Sequence, residues 1–232
     1  MAVAKNDSGT PNINSAGSVT TLSVTTYTVS AGSNLFLLVG LWIFGGTSGT
    51  PTITWDAGGT NQGMTLVTGS PAALATAIVY LYQLIAPVTG LKTLTASWVT
   101  ARAGALGAIA FSGVDQVTGL VGADTKVNTG TAIGGESTGA VTSTATGATV
   151  GVCAFNGTSL SGTTFGTEVF RGGGSGTQNA MSYQLGGTSN NHTWSSPGSG
   201  SWAAMGVHVL AVAAGAAGWA QRTSLNPAAG PA

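Results

Sequence analysis

LFLLVGLWIF, residues 35–44, carries no charged, amide or hydroxyl side chain. It is too short to cross a membrane as a helix, which takes roughly 18 or more apolar residues. A run of this length reads as a central β-strand covered on both faces. Upstream, SVTTLSVTTYTVS (18–30) mixes Val, Leu and Tyr with Thr, as a half-buried strand does. Downstream come TITW (52–55), MTLV (64–67), AIVYLYQLI (77–85), LTASW (94–98) and GALGAIAF (104–111), split by Gly-rich turns. The looser segment 112–140, with Asp115, Asp124, Lys126 and Glu136, reads as a long surface loop, with an extra hairpin as the alternative. No window shows a capped helical period. ALATA (73–77) and AVAAGAAGWAQ (211–221) hold enough alanine for a turn or two of helix, although Gly215 and Gly218 weaken the second.

The second half repeats the order of the first. ATVGVCAF (148–155) echoes the 35–44 run. MSYQLG (181–186) echoes LYQLIA (81–86), sharing Tyr-Gln-Leu, HTW (192–194) echoes TASW (95–98), and WAAMGVHVLA (202–211) echoes GALGAIAF. The first three landmarks recur in the same order at offsets near 100 residues, which points to an internal duplication. The expected fold is all-β: a two-sheet antiparallel sandwich of jelly-roll type with about ten strands. Residues 1–17 read as an extended arm, 18–213 as the sandwich, and 214–232 as a Pro/Gly/Ala-rich tail.

The chain has 232 residues, 43% hydrophobic and 5% charged, with a formal net charge of zero. Soluble domains carry about 25% charged residues. Binding nucleic acid through phosphate neutralisation needs a clustered basic face, so no nucleic-acid partner is expected. A near-zero net charge promotes association. The sole cysteine, Cys153, excludes an intramolecular disulfide. The opening MAVAKNDSGTPN lacks the apolar core of a signal peptide, so the expectation is a chain made in the cytoplasm with no membrane partner.

Catalytic and cofactor signatures are weak. His192 lies in a polar stretch and His208 in the strand GVHVL, where a lone histidine is usually a satisfied core or surface residue; no G-x-S-x-G elbow occurs. One cysteine and two separated histidines give no zinc spacing. Asp56, Asp115, Asp124 and Glu136 could donate oxygens to calcium, but none forms a D-x-D-x-D-G series. WDAGG (55–59) and GVDQ (113–116) fit turns in which aspartate bonds its own backbone. The expectation is no enzyme, no metal and no cofactor. The tryptophans carry the binding candidates. Trp42, Trp98 and Trp202 lie in strands and read as core, while Trp55 and Trp194 stand beside turns and are candidates for stacking on sugar rings. Trp219, with Arg222, reads as an anchor of the tail on a neighbouring subunit.

The succession LFLLVGLWIF, ITWDAGGTNQGMTLV, VYLYQLIAPVTGLKTLTASW, GAIAFSGVDQ and WSS…GSWAAMGVHVLA resembles a family of β-sandwich domains found in phage virion proteins and modular bacterial surface proteins. It covers about residues 33–212, and FSGVDQ (111–116) and the 81–95 block are its distinctive pieces. The resemblance implies a virion structural protein, either a head decoration or cement protein or a fibre-like component. Its partners would be further copies of itself, a trimer being expected, and other virion proteins such as the major capsid protein. The alternative it implies is an adhesive module touching host glycans through Trp55, Trp194 or the 112–140 segment.

Overall fold

The computed structural model of the chain describes residues 1–46, 49–120, 126–132, 135–157, 159–174 and 177–213, and every regular element among them is a β-strand. The first half holds β1 (Ala4–Lys5), β2 (Asp7–Gly9), β3 (Asn12–Val29), β4 (Phe36–Phe44), β5 (Thr52–Trp55), β6 (Gln62–Gly63), β7 (Thr65–Leu66), β8 (Ala72–Ala73), β9 (Ala77–Ile85) and β10 (Gly90–Ser112). The second half holds β11 (Lys126–Ala132), β12 (Glu136–Ser137), β13 (Val141–Thr142), β14 (Ala148–Asn156), β15 (Gly162–Thr163), β16 (Thr167–Gly174), β17 (Thr177–Leu185), β18 (Ser189–Asn190), β19 (Thr193–Ser195) and β20 (Gly200–Val209). The count exceeds the expected number because strands of two or three residues leave no periodicity to read.

All pairing is antiparallel between a 10-stranded sheet, a 5-stranded sheet in the order β11-β20-β14-β17-β16, and small sheets β12-β19-β15 and β13-β18. The apolar run becomes β4, buried at every position between β9 and β10. β3 and β10 form one long antiparallel pair whose register shifts between Lys92 and Leu94, between Ser97 and Arg102 and again between Arg102 and Gly104. Such bulges bend a strand pair. The outer half of this pair, with β5, folds back over β4 and β9. Leu22, Val24, Tyr27, Leu94 and Trp98 there join Leu37, Val39, Leu41 and Tyr82 in one core.

The opposite face of β4, β9 and β10 packs on β14, β17 and β20. Phe36, Leu38, Trp42, Val79, Leu81 and Ile109 meet Val150, Val152, Met181, Met205 and Val207 in a second core between the halves. A third core, with Cys153, Phe155, Trp194 and Trp202, lies on the far side of the 5-stranded sheet under β19.

The two halves share one pairing scheme. β4 pairs β9 from Phe36↔Ile85 to Phe44↔Ala77, and β14 pairs β17 from Ala148↔Leu185 to Phe155↔Gln178. β4 pairs β10 from Phe36↔Phe111, and β14 pairs β20 from Ala148↔Val209. β3 lies on the far side of β10 as β11 lies on the far side of β20. The halves face each other with two-fold logic: β16 touches β3 and β10, and β8 touches β11 and β20.

Three expectations are corrected. Residues 1–17 are woven into the first half: β1 pairs β10, β2 pairs β3, and β3 itself begins at Asn12. Asp7 fixes this arm, its Oδ2 accepting from Tyr27 Oη at 2.7 Å and Ala110 N at 2.6 Å. The 112–140 segment contains β11, an edge strand whose Thr- and Gly-rich sequence hides it. ALATA is split between β8 and β9, with no helix.

Candidate functional site

The strand registers give each residue of the first half a counterpart in the second. On the faces turned toward each half's own core, Leu37, Val39 and Leu41 of β4 correspond to Thr149, Gly151 and Cys153 of β14. Tyr80 and Tyr82 of β9 correspond to Ala180 and Ser182 of β17, and Ala110 of β10 to His208 of β20. One half thus has an apolar interior; its repeat has a polar cluster set beside the apolar residues of the third core.

The space left by the smaller side chains is filled from above by His192 and Trp194. A Cβ on Gly151 would lie 2.5 Å from the His192 Cβ, so the imidazole rests directly on the β14 backbone. His192 Nδ1 meets Ser182 Oγ at 2.8 Å and its Nε2 meets Thr149 Oγ1 at 2.9 Å. Asn190 Nδ2 donates to Thr149 Oγ1 at 3.1 Å and to the Gly186 carbonyl at 2.9 Å. The His192 backbone N–H donates to Thr138 Oγ1, and the Thr138 N–H returns a bond to the His192 carbonyl. Burial pushes the imidazole pKa down to about 4, so His192 is neutral near pH 7. One ring nitrogen donates and the other accepts, and hydroxyls can meet either tautomer.

Close by, Glu136 on β12 sits opposite Trp194 on β19, and its Oε1 accepts from Ser196 Oγ at 2.5 Å. Burial, reinforced by the Glu136 charge, raises the Cys153 thiol pKa well above its ordinary value. Trp194 and Trp202 turn indole N–H groups into this interior without a hydrogen-bond partner among the described residues. His192, Ser182, Thr149 and Glu136 are fully buried. Chemically, the network holds the outer layer to the 5-stranded sheet through hydrogen bonds where the first half uses apolar contact.

The residues singled out by sequence do not converge. Trp55 is buried, edge-on to Tyr27 at 6.0 Å, and its Nε1 donates to the Val88 carbonyl. Trp194 is 1% exposed and stacks on His192. A ring that binds sugar must show a face to solvent, so both are core residues and the proposed glycan contact is corrected. Trp219 and Arg222 lie outside the described residues. Trp42, Trp98 and Trp202 are buried as expected. Asp56 Oδ2 accepts from Thr60 N and Thr60 Oγ1, which hold its carboxyl below the usual range, with Lys92 at 3.4 Å assisting. Asp115 Oδ1 accepts from the backbone of Val117 and Thr118. Both aspartates are therefore turn residues. Among the described residues no group of three or more His, Cys, Asp or Glu could hold a metal.

The polar interior escaped sequence reading because its members are spread from Thr138 to Ser196 and share no spacing. The one usable signal was Gly151 at the repeat position of Val39. Set against models of known families, characterised proteins and solved structures, the chain matches none of them.

Proposed function

We propose that the chain is a structural component of a phage particle, a head decoration or cement protein or a fibre-like element, acting through subunit packing. The observation that carries this reading is how little charge the surface has to offer a partner. Lys5 pairs with Asp7, Lys92 with Asp56 and Arg171 with Glu168, while Glu136 is buried. What faces outward on β3, β5 and β11 is chiefly Thr, Ser, Gly and Asn with Val127 among them, and β10 adds the exposed and equally uncharged Leu91, Val99, Thr100 and Ala101. Such a surface hydrates through hydroxyls and amides and packs on like surfaces without ion pairs, so its contacts resist changes in salt.

The strand orders favour a finer reading of each half as a jelly roll. In the second, β11-β20-β14-β17 and β12-β19-β15 follow the alternation of the jelly-roll sandwich, and the bent β3–β10 pair supplies the corresponding strands of the first. Two such units in one chain double the surface that each copy presents to neighbours and to a major capsid protein.

Rebinding tests the reading. Particles stripped of the chain and resupplied with it should regain it equally at about 0.1 M and about 1 M salt, although the Debye length falls from about 10 to about 3 Å. Failure to bind, or loss at high salt, would count against it.

A further inference from the structure

Among the described residues, the pseudo-symmetry of the two halves leaves one seam uncovered. β3 of the first half is flanked by β16, an eight-residue strand. Its counterpart β11 is flanked by β8, which has two residues. Among the described residues β11 hydrogen-bonds along one edge only, to β20. Its outer edge is the end of a five-stranded sheet.

Exposed edges invite pairing, and proteins blunt them with charge, proline, bulges or brevity. Most other outer strands here are guarded in this way, and β3, whose outer edge β2 pairs only at Tyr27–Val29, is broken by register shifts against β10. β16 carries Glu168, Arg171, a bulge between Glu168 and Phe170, and a glycine run. β2, β7 and β8 have three residues or fewer, and β2 bears Asp7. β11 is seven residues long, KVNTGTA, with no proline, no register shift and no charge after Lys126. Val127 on it is 45% exposed, and Asn128, Thr129 and Thr131 are exposed as well. The Thr129 N–H is occupied locally by Asn128 Oδ1 at 2.9 Å, a bond that a partner strand can replace.

We infer that β11 is a self-association edge: two copies of the chain join antiparallel along β11, with Thr129 on the two-fold axis, merging their five-stranded sheets into one. In this register Val127 faces Thr131, Asn128 faces Gly130 and Thr129 faces Thr129. Cross-strand Thr–Thr pairs are favourable, and each Lys126 stands at the far end from its twin, opposite Ala132. An isologous two-fold contact of this kind closes on itself. It rests on the reading of the chain as a packing component and gives that packing a defined contact, two-fold where the resemblance led us to expect a trimer.

The test is sedimentation equilibrium of the full chain at about 50 μM, where even a micromolar contact is populated, with hydrogen exchange read over 126–132. Wild type is expected at twice the 22.6 kDa of one chain, with protected β11 amides. Thr129→Lys places like charges face to face and should sediment as monomer, with an unchanged circular dichroism spectrum because Thr129 is exposed, and with a melting point that no longer rises with protein concentration. Mixing Thr129→Lys with Thr129→Glu should restore the dimer. A monomeric wild type, an assembly with freely exchanging β11 amides, or a Thr129→Lys chain that still dimerises overturns the inference. Particle incorporation is scored separately: a chain that enters particles but stays monomeric in solution removes the edge contact and leaves the packing role standing.

Discussion

The indole N–H of Trp42 donates to the carbonyl oxygen of Cys153 at 2.8 Å, tying the central strand of one half to the central strand of the other. Around this bond, Trp42 stands edge-on to Phe170 at 5.3 Å, deep in the core between the halves. The two sandwiches are therefore joined by a polar bond embedded in apolar contact. Trp42→Phe keeps most of the packing but removes the donor, leaving a buried acceptor short of one bond. A loss of about 1–3 kcal/mol is expected in urea unfolding. An unchanged midpoint would mean that the bond contributes nothing.

Phe170 reaches Trp42 only because Gly107 has no side chain. A Cβ there would lie 2.0 Å from the Phe170 ring. Gly107→Ala should cost about 1–3 kcal/mol through overpacking. Phe170→Leu in the same chain should recover part of that loss, a coupling that a double-mutant cycle measures. Strict additivity would contradict the contact.

The His192 network makes acid stability predictable. Unfolded, the imidazole titrates near its ordinary 6.5; folded, it takes its proton only near pH 4. The unfolded state therefore binds the extra proton between these values. Stability should fall as pH drops from about 6.5 to about 4 and level off below, by about 3 kcal/mol in all. Asp56, whose carboxyl is held below its ordinary 3.8, gives up its contribution at lower pH. Denaturation midpoints measured across pH in wild type and His192→Gln test this: the variant should lose the slope above pH 4, whatever its absolute stability.

Trp194 offers a direct contrast between core and binding residue. As a buried side chain stacked on His192, its replacement by Ala should cost about 3–5 kcal/mol and lower the melting temperature. A Trp194→Ala chain that melts like wild type would restore the case for a ligand contact there.

Much of the fold was legible in the sequence. The apolar run at 35–44 gave a central strand because no partly solvated strand tolerates that composition, and the echo at 148–155 gave its repeat. The shared Tyr-Gln-Leu was a weaker guide. The registers equate Tyr82 with Ser182, one residue away from Tyr183, so Tyr82 enters its own half's core while Tyr183 packs against the core between the halves. A one-residue slip reverses the face of every side chain in a strand, and composition does not register it. Proximity to a turn does not imply exposure: the bent β3–β10 pair covers Trp55, and the outer layer over the 5-stranded sheet covers Trp194. Beyond Gly151 at the repeat position of Val39, the polar interior leaves no mark in the sequence, since it exists only once β14, β17 and β19 are brought together.

The central claim is that this chain builds particles, and the most direct test counts it there. Quantitative mass spectrometry of purified phage particles from the source culture gives copies of the chain per major capsid subunit. We expect a ratio near one or a simple fraction of it, as for a shell component, or a small fixed number per particle, as for a tail or fibre. Absence from purified particles would contradict the account.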